Sequence, residues 1–388
     1  MKVKSVPEDF VVNEISHIEP RASGRYGLYV LEKKGWNTSD LLKGIASRAG
    51  LPYRLFAYGG RKDRHAHTFQ HVTVEAGVDL TTSSGGYRFE RIGFVDRAMG
   101  PDMIEGNEFS ITLRSLSGDD VEAIRRNATE VAEEGFPNYF DDQRFGGMDP
   151  ERGFMAERIL KGQWRGSLEI YLTSCRPEDP REIRDRKREM RECWGDWRAM
   201  LRVATDGGAP IEIAMLQLLA EERGAYVKAL RMIPREELSL FFSAYQSFLW
   251  NEMARRLISE VGDEPLTYHG VAGPYVFYRR ISVGDLGYLR DLIIPLPAAA
   301  RIEDERISGL LAAVLEERGL HQGRFNVRRL RQAFFKPTPR RVIVFPEHLT
   351  VSDAAKDEMN PGRKRAIVSF FLPRGSYGTM LVKRLSVR

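Results

Sequence analysis

Strand-like sequence opens and closes this chain, and helix-like sequence fills its middle. Near the start, Phe10, Val12 and Glu14 alternate with Val11 and Asn13, and Phe109, Ile111 and Leu113 repeat that pattern in NEFSITLR. This period of two is the signature of half-buried strands. The last fifty residues return to it in RRVIVFPEHL and RAIVSFFLPRGSYGTMLVKRL. Between them, PEDPREIRDRKREMRECWGDWRAMLR is charge-dense. LSLFFSAYQSFLWNEMARRLI then carries Phe241, Ala244, Tyr245, Phe248, Met253 and Leu257 at helical spacing, a stripe that reads as core. A chain of 388 residues also exceeds what one hydrophobic core usually supports. The expected organisation is a discontinuous β-rich domain, residues 1–150 with about 338–388, interrupted by a helix-rich insertion over about 151–337.

Within the first part, TSDLLKGIASRAG predicts a helix capped by Thr38 or Ser39, and a second, polar amphipathic helix runs from about Asp119 to Glu134, ended by Gly135. The following PNYFDDQRFG reads as a turn-rich segment outside the core, selected by something other than packing.

Composition removes several classes. With 42% hydrophobic and 29% charged residues and no run of about 18 apolar residues, no membrane span is expected. MKVKSVPEDFVVNEI lacks the apolar stretch of a signal peptide, so a cytoplasmic location is expected. Cys175 and Cys193 form neither a CxxC pair nor a disulfide framework. The 59 basic residues exceed the 54 acidic ones by 5, which suits a polyanionic partner without demanding one. No GxxxxGK[ST], GxGxxG, GxSxG or HExxH motif occurs, which weighs against nucleotide-driven, dinucleotide-dependent and common hydrolytic chemistry.

The densest chemical stretch is GGRKDRHAHTFQH, residues 59–71, which holds three of the seven histidines. His65, His67 and His71 share parity and would face one side of a continuous strand, as metal ligands could. Ligands strung along a straight strand lie in a line, however, whereas a tetrahedral site needs them to converge. The other reading centres on Asp63, one carboxylate among Arg61, Lys62 and Arg64, opened by Gly59 and Gly60, which supply backbone freedom. Such a setting keeps an aspartate charged, and a charged aspartate can act as a nucleophile. A plain surface turn would use the same residues. In FPNYFDDQRFG, aromatic rings mix with Asn138, Gln143 and Arg144, a blend that stacks on an unpaired base or plugs a domain edge.

Three stretches in chain order, GGRKDRHAHTFQ, PNYFDDQRFG and FFLPRGSYGTMLVKRL, resemble the TruD family of transfer-RNA pseudouridine synthases, and the likeness spans essentially the whole chain. The family pattern of glycine, one residue, Lys-Asp, then Ala, Thr and Gln at alternate positions is met by Gly60, Lys62, Asp63, Ala66, Thr68 and Gln70. VPEDFVVNEI, GNEFSITLR and AYQSFLWNE add to it. The resemblance implies that Asp63 is the catalytic aspartate, that Lys4 in KSVPEDF is its ion-pair partner, and that Phe140 packs on the target uracil with Asn138 beside it. Where the family usually has glycine this chain has Asp141, so the turn there must tolerate a side chain.

The fold implied is α+β, a curved, mainly antiparallel sheet flanked by helices, with a helix-rich α/β insertion, the TRUD domain. The activity implied is isomerisation of a uridine in tRNA, uridine-13 being the expected target, with the base extruded from its stack and no cofactor or metal. An RNA-binding protein of the same fold without turnover, and a histidine-based metal-dependent hydrolase, are the alternatives. The intact Lys62-Asp63 pair argues against the first.

Overall fold

A computed structural model of the chain describes residues 1–388 apart from 76, 177, 331 and 333. Among the described residues no helix is long and apolar enough to cross a membrane. The chain divides into two compact units: Met1–Asn138 with Arg279–Ile281 and Ile343–Arg388, and Tyr139–Tyr278 with Ser282–Val342.

The first unit is built on a ten-stranded sheet. Its strands are β1 (Phe10–Ser16), β2 (Tyr26–Lys34), β3 (Phe56–Tyr58), β4 (His67–Val74), β5 (Thr82–Ser84), β6 (Tyr87–Val95) and β7 (Ile104–Leu116), with Glu347–Val351, Ala355–Lys356 and Lys364–Pro373 from the far end of the chain. The order runs Glu347–Val351, Lys364–Pro373, β7, β1, β4, β2, β6, β5, while β3 pairs beside β4 and Ala355–Lys356 beside Lys364–Pro373. Every pairing is antiparallel except β1 with β4, where Val11, Val12 and Asn13 lie opposite His67, Thr68 and Phe69. The α+β class expected from the sequence is therefore the class observed.

Alternation decides which side chains go inward. In β1, Phe10, Val12 and Glu14 are the buried members. In β4, Thr68, Gln70 and Val72 are buried while His67, Phe69 and His71 stay half-exposed. Helix α1 (Thr38–Arg48) lays Leu41, Leu42, Ile45 and Ala46 on a core that includes Tyr29, Leu31, Phe56, Val72 and Phe89. Tyr29 and Phe89 stack there with ring centroids 4.4 Å apart. Neither Thr38 nor Ser39 caps α1: Asn37 holds the N-cap position, and the Thr38 hydroxyl is turned to another use described below. Helix α2 (Gly118–Glu134) begins as expected, with Ser117 and Asp120 closing a reciprocal capping box, and Gly135 ends it at φ 70°.

Two readings of the sequence are corrected. The run after Lys364 is not strand throughout, because Gly378–Ser386 is a helix. It packs on α2, whose Asn127 amide donates to the carbonyls of Leu385 and Val387 at 2.9 and 2.8 Å. Gly378 lets that helix approach the sheet, since a Cβ there would sit 2.8 Å from the Phe109 ring. The segment PNYFDDQRFG is not outside the core: Asn138, Tyr139, Phe140, Asp141 and Phe145 are all buried. Its aromatic rings carry enough apolar area to outweigh its turn-forming residues.

The second unit is helical for most of its length. Its longest helix, Arg235–Val261, is buried continuously from Ala244 to Asn251, and Phe242, rather than Phe241, is the buried phenylalanine of its first half. The charge-dense stretch forms two helices, Arg181–Glu192 and Trp197–Thr205. Strand Ile293–Pro295 pairs with Pro339–Arg341.

Candidate active site

Asp63 sits in the loop between β3 and β4, and the sheet beneath grips that loop from several sides. The Gln70 amide donates to the Gly60 carbonyl at 3.2 Å and accepts from the Thr38 hydroxyl at 2.9 Å. The Lys62 N–H reaches the same hydroxyl at 3.4 Å. Lys33, on the buried face of β2, sends its ammonium up to the Asp63 carbonyl at 2.8 Å and the Lys62 carbonyl at 3.4 Å. The alternate-position pattern Ala66, Thr68, Gln70 thus has a plain cause: Thr68 and Gln70 are inward members of the strand that leads away from the loop, Ala66 directly precedes it, and all three are buried. Of the two opening glycines, Gly59 is closely packed: a Cβ there would fall 2.2 Å from Ile104 Cδ1, so the Ile104 side chain would have to move. Gly60 has open space, and neither has a positive φ, so the backbone freedom expected of the pair is not what the loop uses.

The Asp63 carboxylate has one oxygen, Oδ1, receiving the His65 N–H at 3.0 Å. Its other oxygen pairs with the Lys4 ammonium. Lys4 reaches it from a left-handed backbone, φ 60°, a conformation that costs a non-glycine residue free energy and persists where its surroundings over-determine it. Those surroundings are visible. Lys2 bridges to Arg114 of β7 through two backbone hydrogen bonds of 2.8 and 2.9 Å. The next turn, Pro7–Asp9, is held by the buried Asp9–Arg114 pair at 2.8 Å. The Lys4 ammonium itself lies 4.2 Å over the Phe10 ring. The lysine is fixed at both ends of its short segment, and 24% of the Asp63 side chain remains exposed.

Behind the pair lies a second charged layer. Glu14, with no exposed side-chain surface, has Lys62 Nζ 2.9 Å from Oε2. Its Oε1 accepts the His71 N–H at 3.0 Å, and the His71 ring stands 3.7 Å away. Burial pushes the Glu14 carboxyl up, but hydrogen bonds from His71 and the charge of Lys62 outweigh it and hold the group below the usual carboxylate range. Lys62 also donates to Asn107 of β7. Burial lowers Lys33 from an ordinary 10.5 to about 8, against the raising field of Asp63 and together with the repulsion of Lys62.

The three histidines separate. His67 turns to Glu32 at 2.8 Å, His71 to Ser16 at 3.2 Å, and His65 is exposed at the tip of the loop. Among the described residues, no group of three His, Cys, Asp or Glu side chains is placed to hold a metal.

Of the residues expected to form the site, Asp63 and Lys4 are brought into direct contact. Asn138 ends its stretch of the first unit, buried, next to strand Phe136–Pro137. Phe140 belongs to the second unit, where Asn251 of the long helix clamps its backbone, accepting its N–H at 2.8 Å and donating to its carbonyl at 2.9 Å. The Arg340 guanidinium lies 3.9 Å over the Phe140 ring, and Trp250 meets it edge-on at 5.7 Å. At Asp141 the backbone is extended, φ −81°, so the side chain that replaces the family's glycine is accommodated without strain.

Lys33, Glu14 and Asn251 are residues to which the sequence reading assigned no role. Glu14 was visible as a carboxylate on the buried parity of β1, an arrangement that requires a cationic partner. Asn251, one residue from Trp250 in a stripe read as core, gave no such signal.

A mainly antiparallel α+β unit with a second, helical unit inserted into it is a fold already represented among solved structures. The fold matches that of the putative tRNA pseudouridine synthase D (TruD) from Methanosarcina mazei with a TM-score of 0.74 over 99% of this chain and 93% of that one, at 24% identity. The family model for tRNA pseudouridine synthase D (TruD) matches residues 1–270. A probable tRNA pseudouridine synthase D 2 from Methanocaldococcus jannaschii is 30% identical, covering 99% of this chain and 91% of its own length. A tRNA pseudouridine synthase D from Leptospira interrogans is 27% identical, with 100% and 96% covered. The chain belongs to the tRNA pseudouridine synthase D family.

Proposed function

We propose that this chain is an isomerase that converts a uridine in tRNA, uridine-13 by the family resemblance, to pseudouridine, with Asp63 as its catalytic carboxylate. The observation that carries the reading is the grip on Asp63. One oxygen is tied to the His65 N–H and the other to Lys4, while the loop carbonyls are tied down by Lys33. A carboxylate needs such fixing to reach a substrate carbon in a productive geometry. Pairing with Lys4 favours its charged, nucleophilic form.

The reaction breaks the glycosidic bond between C1′ and N1, turns the uracil and rejoins it through C5, which loses its proton while N1 gains one, so the product is an isomer of the substrate. Asp63 serves as the nucleophile or as the base at C2′. No external electron carrier enters the balance. The uracil leaves its stack at a cost of a few kcal/mol, and stacking on Phe140 offsets part of it. Rigid clamping by Asn251 suits Phe140 to that task. Arg340 and, at 5.8 Å, Arg144 both lie over that ring, so an arriving base displaces a guanidinium. Asn138 is assigned to the uracil edge. Relatives named as tRNA pseudouridine synthases support a cytoplasmic setting.

The test is to incubate the protein with an unmodified tRNA transcript and map pseudouridine by chemical labelling, with Asp63→Asn alongside. The variant keeps the shape and removes the charge, so tRNA binding should persist while turnover is lost. A normal yield of pseudouridine from Asp63→Asn would overturn the assignment.

A further inference from the structure

From Arg318 to Pro346 the chain has no aspartate or glutamate and eight lysines or arginines. With 54 acidic residues spread over 388, about four would fall in such a stretch by chance, so it stands out as a block of one sign. Phe325, Leu330 and Phe335 bury themselves at five-residue intervals. Phe335 packs 4.9 Å from both Phe242 and Phe325. Arg231 holds the Arg329 carbonyl from below, with Nη2 at 2.9 Å. With the apolar members anchored inward, the arginines between them are turned outward: Arg324, Arg328 and Arg329 are exposed. Among the described residues, none of the three pairs with a carboxylate, although Arg318 nearby pairs with Glu157 at 3.7 Å.

These arginines line two clefts of the second unit. One, of about 530 Å³, is walled by Trp164, His321, Arg324, Asn326, Arg328 and Arg329. The other, of about 500 Å³, shares Asn326 and Arg328 and adds Phe334, which is 63% exposed. Among the described residues no carboxylate lines either cleft. Neither Trp164 nor Phe334 stacks on another aromatic ring among the described residues. Unspent guanidiniums next to unspent aromatic faces, with a side-chain amide between them, are the elements that take nucleic acid with its bases unpaired. The phosphates meet arginine and the base faces meet the rings. A duplex offers no base faces to stack.

We propose that the two clefts form one track that binds an unpaired stretch of the substrate RNA, with phosphates on Arg324, Arg328 and Arg329 and bases on Trp164 and Phe334. The inference rests on the proposal that the substrate is RNA. It assigns a binding role to residues that belong to neither the Asp63 loop nor the Phe140 segment.

The test compares wild type, Arg324→Gln/Arg328→Gln/Arg329→Gln, Phe334→Ala, and a charge-matched control, Arg181→Gln/Arg198→Gln/Arg223→Gln. Binding of an unmodified tRNA transcript is followed by fluorescence anisotropy from 50 to 200 mM salt, with circular dichroism melts to establish that each variant is folded. Three single-strand phosphate contacts contribute about 2 to the slope of log affinity against log salt, so the cleft triple variant should flatten the slope by that amount and bind at least tenfold more weakly. Phe334→Ala should lose about 5- to 100-fold. The control triple should match wild type. An unstructured oligouridylate should compete for the track, and a blunt RNA duplex should not. A folded cleft triple variant with wild-type affinity and slope would overturn the inference, and so would equal competition by the duplex. If the cleft triple variant fails to fold, Phe334→Ala and the competition arms decide. Pseudouridine formed by wild type together with unchanged binding by the cleft triple variant removes this inference alone. RNA binding lost in that variant while wild type makes no pseudouridine removes the proposed activity alone.

Discussion

Replacing Lys33 by methionine separates what the Asp63 loop costs from what it does. The Lys33 side chain is completely buried, and among the described residues no carboxylate lies within ion-pairing distance of it. Among the described residues its ammonium is met by the carbonyls of Asp63 and Lys62. The drop from 10.5 to about 8 means that holding it protonated in the fold costs about 3 kcal/mol relative to the unfolded chain. A folded value below the unfolded one makes this cost complete below about pH 8 and removes it as the pH rises to 10.5, because the unfolded chain binds the extra proton across that range. Methionine fills nearly the same space without the charge, and the loop carbonyls it abandons are in half-buried residues that water can reach. Lys33→Met should therefore melt a few degrees higher at pH 7. It should also lack the wild type's gain in stability between pH 8 and 10. Activity should move the other way: a loop released by one ångström costs on the order of 100-fold in rate. Thermal melts at pH 7 and 9.5, with single-turnover pseudouridine formation on a tRNA transcript, measure both. A variant that melts lower at pH 7 and reacts at the wild-type rate would refute the reasoning.

Other outcomes follow from the same geometry. Glu14 titrates below its ordinary value, so its contribution is present above about pH 4.5 and is lost as the pH falls further; melts of Glu14→Gln should lack that acid-side loss. At neutral pH the same variant leaves Lys62 without its buried partner and should cost about 3 kcal/mol by denaturant titration. Gly59→Ala pushes a methyl group into Ile104 and should cost about 1–3 kcal/mol on the same measurement. Asp141→Gly restores the family's residue where the backbone is already extended, so pseudouridine yield should hold and stability should fall by no more than about 1 kcal/mol.

Much of this protein could be read before its structure, and the limits have physical causes. The alternation was legible because Phe10 and Val12 of β1, and Phe109, Ile111 and Leu113 of β7, are apolar residues at every second position and all are buried, although Glu14, Thr112 and Arg114 are buried as well. Asp63 stood out as a candidate through its spacing from Ala66, Thr68 and Gln70; Thr68 and Gln70 lie on the buried face of β4, and Ala66 is buried just before that strand. The C-terminal helix was misread because GTMLVKRLS offers a short apolar run whose period does not separate strand from helix. The burial of Asn138, Tyr139, Phe140 and Asp141 was misread because local turn chemistry says nothing of the distant residue, Asn251, that receives the segment. Lys33 escaped because a buried ammonium facing two carbonyls leaves no pattern in its neighbours.

The sheet's strand order has a consequence for how the protein is made. On its outer side β7 pairs along nearly its whole length with Lys364–Pro373, which leaves the ribosome roughly 250 residues later. At about 5–20 residues per second that is on the order of tens of seconds. Throughout that interval β7, the strand that carries Asn107 and Arg114, presents an open hydrogen-bonding edge in a half-made protein. The nascent chain is most exposed to mispairing beside its own candidate active site, and a chaperone that shields one strand edge would serve it better than one that encloses the finished molecule.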